Sequence, residues 1–128
     1  MFESATAYAV LPASDLDRAR RYWVGLTDAE PEMSMEDEAF FLRIGGIRVL
    51  IYRSEFAGTA ENTALGIESA DLDRDLELLR ERGVEFNQYD LPGLTTVDGV
   101  AEIDGTRTAW FTDSEGNIIA IGDRVEAG

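Results

Sequence analysis

Arg43 and Arg48 flank the dipeptide Gly45-Gly46 in the stretch EAFFLRIGGIRVLIYR, residues 38–53. Gly-Gly suits a two-residue turn that needs positive φ, so the stretch predicts a tight hairpin. Pairing across the turn opposes Ile44 with Ile47, Arg43 with Arg48, Leu42 with Val49, Phe41 with Leu50 and Phe40 with Ile51. Side chains alternate along a strand. One face therefore carries Phe40, Leu42, Ile44, Ile47, Val49 and Ile51, all apolar, and reads as core. The other carries Phe41, Arg43, Arg48, Leu50 and Tyr52. Rings that stack and guanidinium groups that orient a partner could line a small-molecule groove. The alternative for this face is an ordinary solvent-facing sheet surface.

A second hairpin is predicted at residues 109–122, AWFTDSEGNIIAIG, with Asp113 to Asn117 as its turn. Here Thr112 faces Ile118, Phe111 faces Ile119, Trp110 faces Ala120 and Ala109 faces Ile121. Ala109, Phe111, Ile119 and Ile121 form a core face. Trp110, Thr112, Ile118 and Ala120 form a mixed face that reads as the wall of a cavity.

Few other groups can do chemistry. The chain has no cysteine and no histidine. Disulfides, thiolate metal sites and a cysteine nucleophile are excluded, and so are the commonest metal ligand and the usual general base at neutral pH. On the strand at 62–69, Leu65 and Ile67 point one way, and Asn62, Ala64, Gly66 and the carboxylate Glu68 point the other. All 11 basic residues are arginine, against 26 acids, for a net charge of −15. Residues 1–60 hold 10 acids and 6 arginines, and residues 61–128 hold 16 and 5. Nucleic acid is a poor partner for such a chain, since phosphate binding needs basic patches. No apolar run approaches the roughly 20 residues of a membrane helix. The first residues, MFESATAYAV, lack a basic region and a signal-peptide core. The expectation is a cytoplasmic protein without a membrane partner.

The elements that must position these residues follow in order. Residues 6–12 read as a strand and Ser14 as the cap of a helix that buries Leu16, Ala19, Trp23 and Leu26. Arg18 and Arg21 are expected outside, with Arg21 near Asp17, and Gly25 is expected to end or fray the helix. An acidic stretch with a short strand near Met33 leads to the first hairpin. After a loop at 54–61 come a strand at 62–69, a helix at 71–82 ended by Gly83, and a strand at 84–89. Residues 90–105 read as a long loop or a short hairpin, and the second hairpin and a polar tail at 123–128 complete the chain.

Ser14-Asp15-Leu16-Asp17-Arg18 is echoed by Ala70-Asp71-Leu72-Asp73-Arg74, 56 residues later. Each copy stands between a strand and a helix, so the order strand, helix and about three strands occurs twice. A match of Ile44-x-Gly46-x-Arg48 with Ile103-x-Gly105-x-Arg107 has a different offset, 59, and is treated as chance. The fold class is α+β: one domain over 1–128, built from two βαβββ modules at 1–58 and 59–128, with curved mixed sheets around a groove.

The stretches LPASDLDRARRYWVGL, GIESADLDRDLELLRERGVEF and WFTDSEGNIIAI resemble the vicinal oxygen chelate superfamily, which includes glyoxalase I, extradiol dioxygenases and bleomycin-resistance proteins. Ser114 and Glu115 replace Pro and Asp of the superfamily's DPDGN hairpin. The resemblance implies paired βαβββ modules and a homodimer. It also implies where the superfamily's metal enzymes carry His and Glu ligands. Those positions are Tyr8, Leu50, Ala64 and Ala120 here. Aliphatic groups cannot ligate a divalent ion and one neutral phenol is a poor ligand. No metal ligand, cofactor or catalytic residue is therefore assigned.

The expected function is metal-free binding of a small, partly aromatic ligand in the sheet groove. Phe41, Tyr52 and Trp110 would stack, Tyr8, Arg43, Arg48 and Glu68 would orient, and Leu50, Ala64 and Ala120 would line. Two alternatives stand beside it. One is a glyoxalase- or dioxygenase-like lyase or isomerase with an unusual or metal-free site. The other is a non-catalytic scaffold or regulatory subunit with a vestigial groove.

Overall fold

The computed structural model describes residues 1–125. The first unit comprises β1 (Ala9–Ala13), α1 (Leu16–Thr27), β2 (Glu32–Met35), β3 (Ala39–Ile44) and β4 (Ile47–Arg53). Its sheet runs β1-β4-β3-β2, with β1 parallel to β4 and the other pairs antiparallel. The second unit repeats that order. It comprises β5 (Thr63–Ser69), α2 (Leu72–Glu81), a small hairpin of β6 (Asp90–Leu91) and β7 (Leu94–Thr95), then β8 (Val100–Ile103), β9 (Thr106–Thr112) and β10 (Ile118–Asp123). Its sheet runs β5-β10-β9-β8, with β5 parallel to β10. The fold is α+β, two βαβββ units in one chain.

Both hairpins have the register expected from alternation. Arg43 opposes Arg48 and Phe41 opposes Leu50; Trp110 opposes Ala120 and Phe111 opposes Ile119. The apolar faces of both sheets, with α1 and α2, enter one common core that includes Phe40, Leu42, Val49, Phe111, Ile119 and Trp23. Burial of this shared apolar surface is the main force joining the units. Ile47 is the exception on its face, 46% exposed beside the turn.

The repeat is a capping signature. Asp15 accepts the Arg18 amide at the start of α1, and Asp71 accepts the Arg74 amide at the start of α2. Asp15, not Ser14, is therefore the cap. Gly25 does not end α1, which continues to Thr27 and stops at Asp28 in the left-handed region, φ 59°. The Asp28 carboxylate is held there by Arg82 at 2.9 Å. Asp17 pairs with Arg20 at 3.6 Å rather than with Arg21, and the Arg20 guanidinium lies over Phe40. The two arithmetic offsets also separate. Gly45-Gly46 joins β3 to β4, whereas Gly105 lies between β8 and β9, so the 59-residue match links non-equivalent turns.

Other boundaries shift for local reasons. The first strand is Ala9–Ala13, set by its pairing with residues 49–53 of β4. No strand forms over 84–89. Phe86 makes an isolated bridge to Phe111, beyond residues 106–109 of that edge, which pair with β8. Residues 90–105 hold both a hairpin and the edge strand β8. The expected tail begins inside β10, and its residues 126–128 lie outside the described ones.

The turn at 113–117 is buried, which its polar composition does not suggest. Asp113, Glu115 and Asn117 are each under 8% exposed. Asp113 accepts the Trp23 indole N–H at 3.1 Å, and Asn117 donates to the Pro12 carbonyl at 3.0 Å. Glu115 accepts the amides of Ser14 and Asp15, each at 3.0 Å, and the Arg18 Nε–H at 2.8 Å. Burial alone would raise the Glu115 carboxyl, but hydrogen bonds from Arg18, the Asp15 amide and Ser114 hold it at about 2. A hairpin of the second unit thus clamps the helix start of the first. Arg18, expected to be merely outside, is a member of that clamp.

Candidate functional site

The ten predicted site residues fall into two sets on two surfaces. On the first sheet, Tyr8, Phe41, Arg43, Arg48, Leu50 and Tyr52 share the face turned away from the common core. Tyr8 packs edge-on against Phe41, with centroids 5.2 Å apart. The Arg48 guanidinium lies over the same ring at 3.9 Å and donates to Met33 Sδ at 3.5 Å. Phe41 is thereby 8% exposed, whereas Tyr8 and Tyr52 remain 48% and 36% exposed. Glu32, opposite Phe41 on β2, stands 3.7 Å from Arg43 Nε and 3.9 Å from Arg48 Nε.

On the second sheet, Ala64, Glu68, Trp110 and Ala120 share the corresponding face. Tyr89 packs edge-on against Trp110, with centroids 5.7 Å apart. Glu68 accepts the Val125 amide at 2.6 Å and does not pair with Arg43 or Arg48. The two sheets match position by position: Val10 opposes Leu50 across β1 and β4, and Gly66 opposes Ala120 across β5 and β10. Tyr8 and Ala64 each stand two residues before the first member of their pair. The four positions named by the resemblance are therefore equivalent sites in the two units.

Because both sheets give their opposite faces to one core, the two sets point away from each other's sheet. Among the described residues, no hydrogen bond, ion pair or aromatic contact joins one set to the other. Two cavities of the chain touch these sets only at Glu68. One of about 250 Å³, between the helices, is lined by Trp23, Ile44, Ile67, Phe111 and Ile121 on the core side. Another of about 220 Å³ lies between the β3–β4 turn and β5 and reaches Glu68. Neither includes Phe41, Arg48 or Trp110. The outer edges of β1 and β5 carry no neighbouring strand, which leaves Tyr8, Val10, Ala64 and Gly66 exposed.

The repeated β-α-β-β-β order, with the first strand of each unit parallel to its last, decides the architecture. This is the vicinal oxygen chelate fold. Solved structures of that superfamily superpose on nearly the whole chain. The bleomycin-binding protein of Streptomyces verticillus, solved with copper(II)-bleomycin, is 28% identical with a TM-score of 0.72, over 98% of this chain and 100% of that one. A glyoxalase/bleomycin resistance protein/dioxygenase of Alicyclobacillus acidocaldarius is 18% identical with a TM-score of 0.69, over 94% and 92%. The fosfomycin resistance protein FosX of Mesorhizobium loti is 23% identical with a TM-score of 0.64, over 98% and 95%. No family model matches the sequence, and no curated protein matches it.

The resemblance implies metal ligands of the superfamily's metal enzymes at these four positions, which are Tyr8, Leu50, Ala64 and Ala120 in this chain. One phenol and three aliphatic side chains do not fit a divalent cation. Among the described residues no group of three His, Cys, Asp or Glu side chains converges elsewhere. No described helix is long and apolar enough to cross a membrane.

Sequence reasoning missed Glu32, Met33 and Tyr89 as neighbours of the candidate residues. Glu32 is one of several acids between 28 and 38, and alternation identified no face for so short a strand. Tyr89 ends the strand expected at 84–89, which the structure does not form, so its position against Trp110 is not legible in the sequence.

Proposed function

We propose that the chain binds a small, partly aromatic molecule in a groove made by the first sheet of one copy and the second sheet of another. The observation that carries this reading is the split of the site. Phe41, Tyr8 and Tyr52 lie on one outward face and Trp110 on the other, beside strand edges that have no neighbour. A two-fold dimer that abuts β1 of each copy with β5 of its partner turns the two faces toward one another, twice. The neighbour solved with copper(II)-bleomycin supports ligand enclosure as the activity. The domain boundary between residues 58 and 59 belongs to the same proposal.

Mixing tests it. The probe is N-phenyl-1-naphthylamine, a neutral aromatic fluorophore. Phe41→Ala and Trp110→Ala should each abolish its binding. Mixed and exchanged, the two variants should regain about a quarter of the wild-type sites, because each heterodimer has one intact groove. No recovery on exchange would overturn the shared groove. A scaffold is the second reading, favoured by Arg48 over Phe41 and Tyr89 against Trp110, which partly fill each face with its own side chains. Absence of probe binding to the wild type would select it. A catalytic reading would require a base with a partner, and Glu68 accepts only the Val125 amide among the described residues.

A further inference from the structure

Arg43 and Arg48 occupy directly opposed positions of the β3–β4 ladder. Like charges so placed repel, and a sheet stabilised by cross-strand pairing normally avoids them. They stand on a face that has one acid, Glu32, within ion-pair distance of both. Two cations and one anion leave this patch locally positive in a chain of net charge −15.

The geometry of Glu32 is informative. Its carboxylate presents Oε1 to Arg43 at 3.7 Å and Oε2 to Arg48 at 3.9 Å. Both separations exceed hydrogen-bond length. One carboxylate therefore bridges two guanidinium groups without occupying their N–H donors. Among the described residues the Arg43 guanidinium makes no hydrogen bond, and that of Arg48 makes one, to a thioether. The Arg48 guanidinium carbon lies 3.9 Å from the centre of the Phe41 ring, and the side chain is 32% exposed. Arg48 thus offers both a flat cationic surface and in-plane donors.

We infer that Arg43 and Arg48 together form the subsite for a carboxylate on the ligand, and that Glu32 is the internal carboxylate it displaces. The inference rests on the groove reading above and specifies the ligand: an aromatic carboxylic acid, its ring against the aromatic face and its carboxylate between the two arginines. Displacement is favoured because the incoming group can approach to hydrogen-bond distance, bidentate on Arg48, whereas Glu32, two strands away on β2, stands 3.9 Å from Arg48 Nε. Glu32 then sets the affinity by competing for the same donors.

Three probes that share one ring system test this by calorimetry on the wild-type protein: 1-naphthoate, 1-naphthylmethanol and 1-naphthylmethylamine. The expected order has naphthoate tighter than the alcohol by about tenfold and the amine weakest. Arg43→Gln and Arg48→Gln should each remove that preference while circular dichroism shows the fold intact. Glu32→Gln should tighten naphthoate about threefold or more and leave the alcohol unchanged, an effect that a purely structural Glu32 would not produce. Equal binding of the three probes, tighter binding of the amine, or no effect of Glu32→Gln overturns the carboxylate subsite and leaves the groove standing. Failure of all three to bind, together with failure of the neutral fluorophore, overturns the groove and the subsite with it.

Discussion

Arg18 Nε lies 2.8 Å from Glu115 Oε2, across 97 residues of sequence. The contact joins the first turn of α1 to the β9–β10 hairpin, and its carboxylate is 1% exposed while its guanidinium is 48% exposed. The same carboxylate satisfies the amides of Ser14 and Asp15. A buried charge is stabilising only while enough donors offset its desolvation, and both Glu115 oxygens have more than one.

The pH dependence follows. The Glu115 carboxyl is held at about 2 against an ordinary 4.5, so the folded state favours the carboxylate more than the unfolded chain does. The stabilisation is complete above about pH 4.5 and is lost as pH falls toward 2, amounting to roughly 3 kcal/mol. Glu115→Gln should lower urea-unfolding stability by about that amount at pH 7 and much less at pH 2.5. Equal losses at both pH values would refute the assignment.

Gly116 has φ +88°, and a Cβ there would stand 2.6 Å from Gly58 Cα. Gly116→Ala should therefore cost about 2 kcal/mol or more, from left-handed strain and backbone overlap together. Gly45→Ala is the contrast, with φ +60° and its nearest neighbour 4.0 Å away. It should cost about 1 kcal/mol, from strain alone. Denaturant melts of the two variants decide this, and similar losses would mean that the Gly58–Gly116 approach is not a constraint.

Dimerisation is a prediction about β1. Val10 is 46% exposed and Tyr8 48% exposed in the single chain. Tyr8→Asp/Val10→Asp should leave the circular dichroism spectrum unchanged and weaken the dimer about tenfold or more by light scattering. A wild-type monomer at micromolar concentration would end the shared-groove reading, and a dimer unaffected by both charges would place the interface elsewhere.

Metal addition should be silent at the groove. Protein stripped with EDTA and then given excess Ni²⁺, Zn²⁺, Mn²⁺ or Fe²⁺ should show no change in Tm. Native-state binding at a hundredfold over Kd would add about 2.7 kcal/mol, a readable shift. A saturable shift lost in Glu68→Gln or Glu32→Gln would show a carboxylate site that the four equivalent positions do not supply.

Much of the fold was legible in the chain because alternation is a local rule. Phe40, Leu42 and Val49 on one face, and Phe41, Arg43 and Leu50 on the other, follow from period two and a Gly-Gly turn. The second hairpin follows in the same way from Trp110 and Ala120. Asp15 and Asp71 are visible as a repeat, although Ser14 is an equally good cap by type. Its hydroxyl instead faces Glu115, a partner 101 residues away that no local pattern reveals. The segment around Phe86 has strand-like composition, but it meets β9 by a single bridge at Phe111, beyond the residues that β8 pairs with.

The sequence by itself determined the strand faces, the two-module repeat and the acidic balance, since each depends on residue type and short spacing. Tertiary structure decided what those faces meet. It joined both apolar faces in one core and so turned Phe41 and Trp110 outward on separate surfaces. It buried the 113–117 turn as a clamp on α1, and it set Glu32 between Arg43 and Arg48. These outcomes depend on which surfaces are close in space, and burial, charge pairing and exposed edges are properties of that proximity rather than of spacing along the chain.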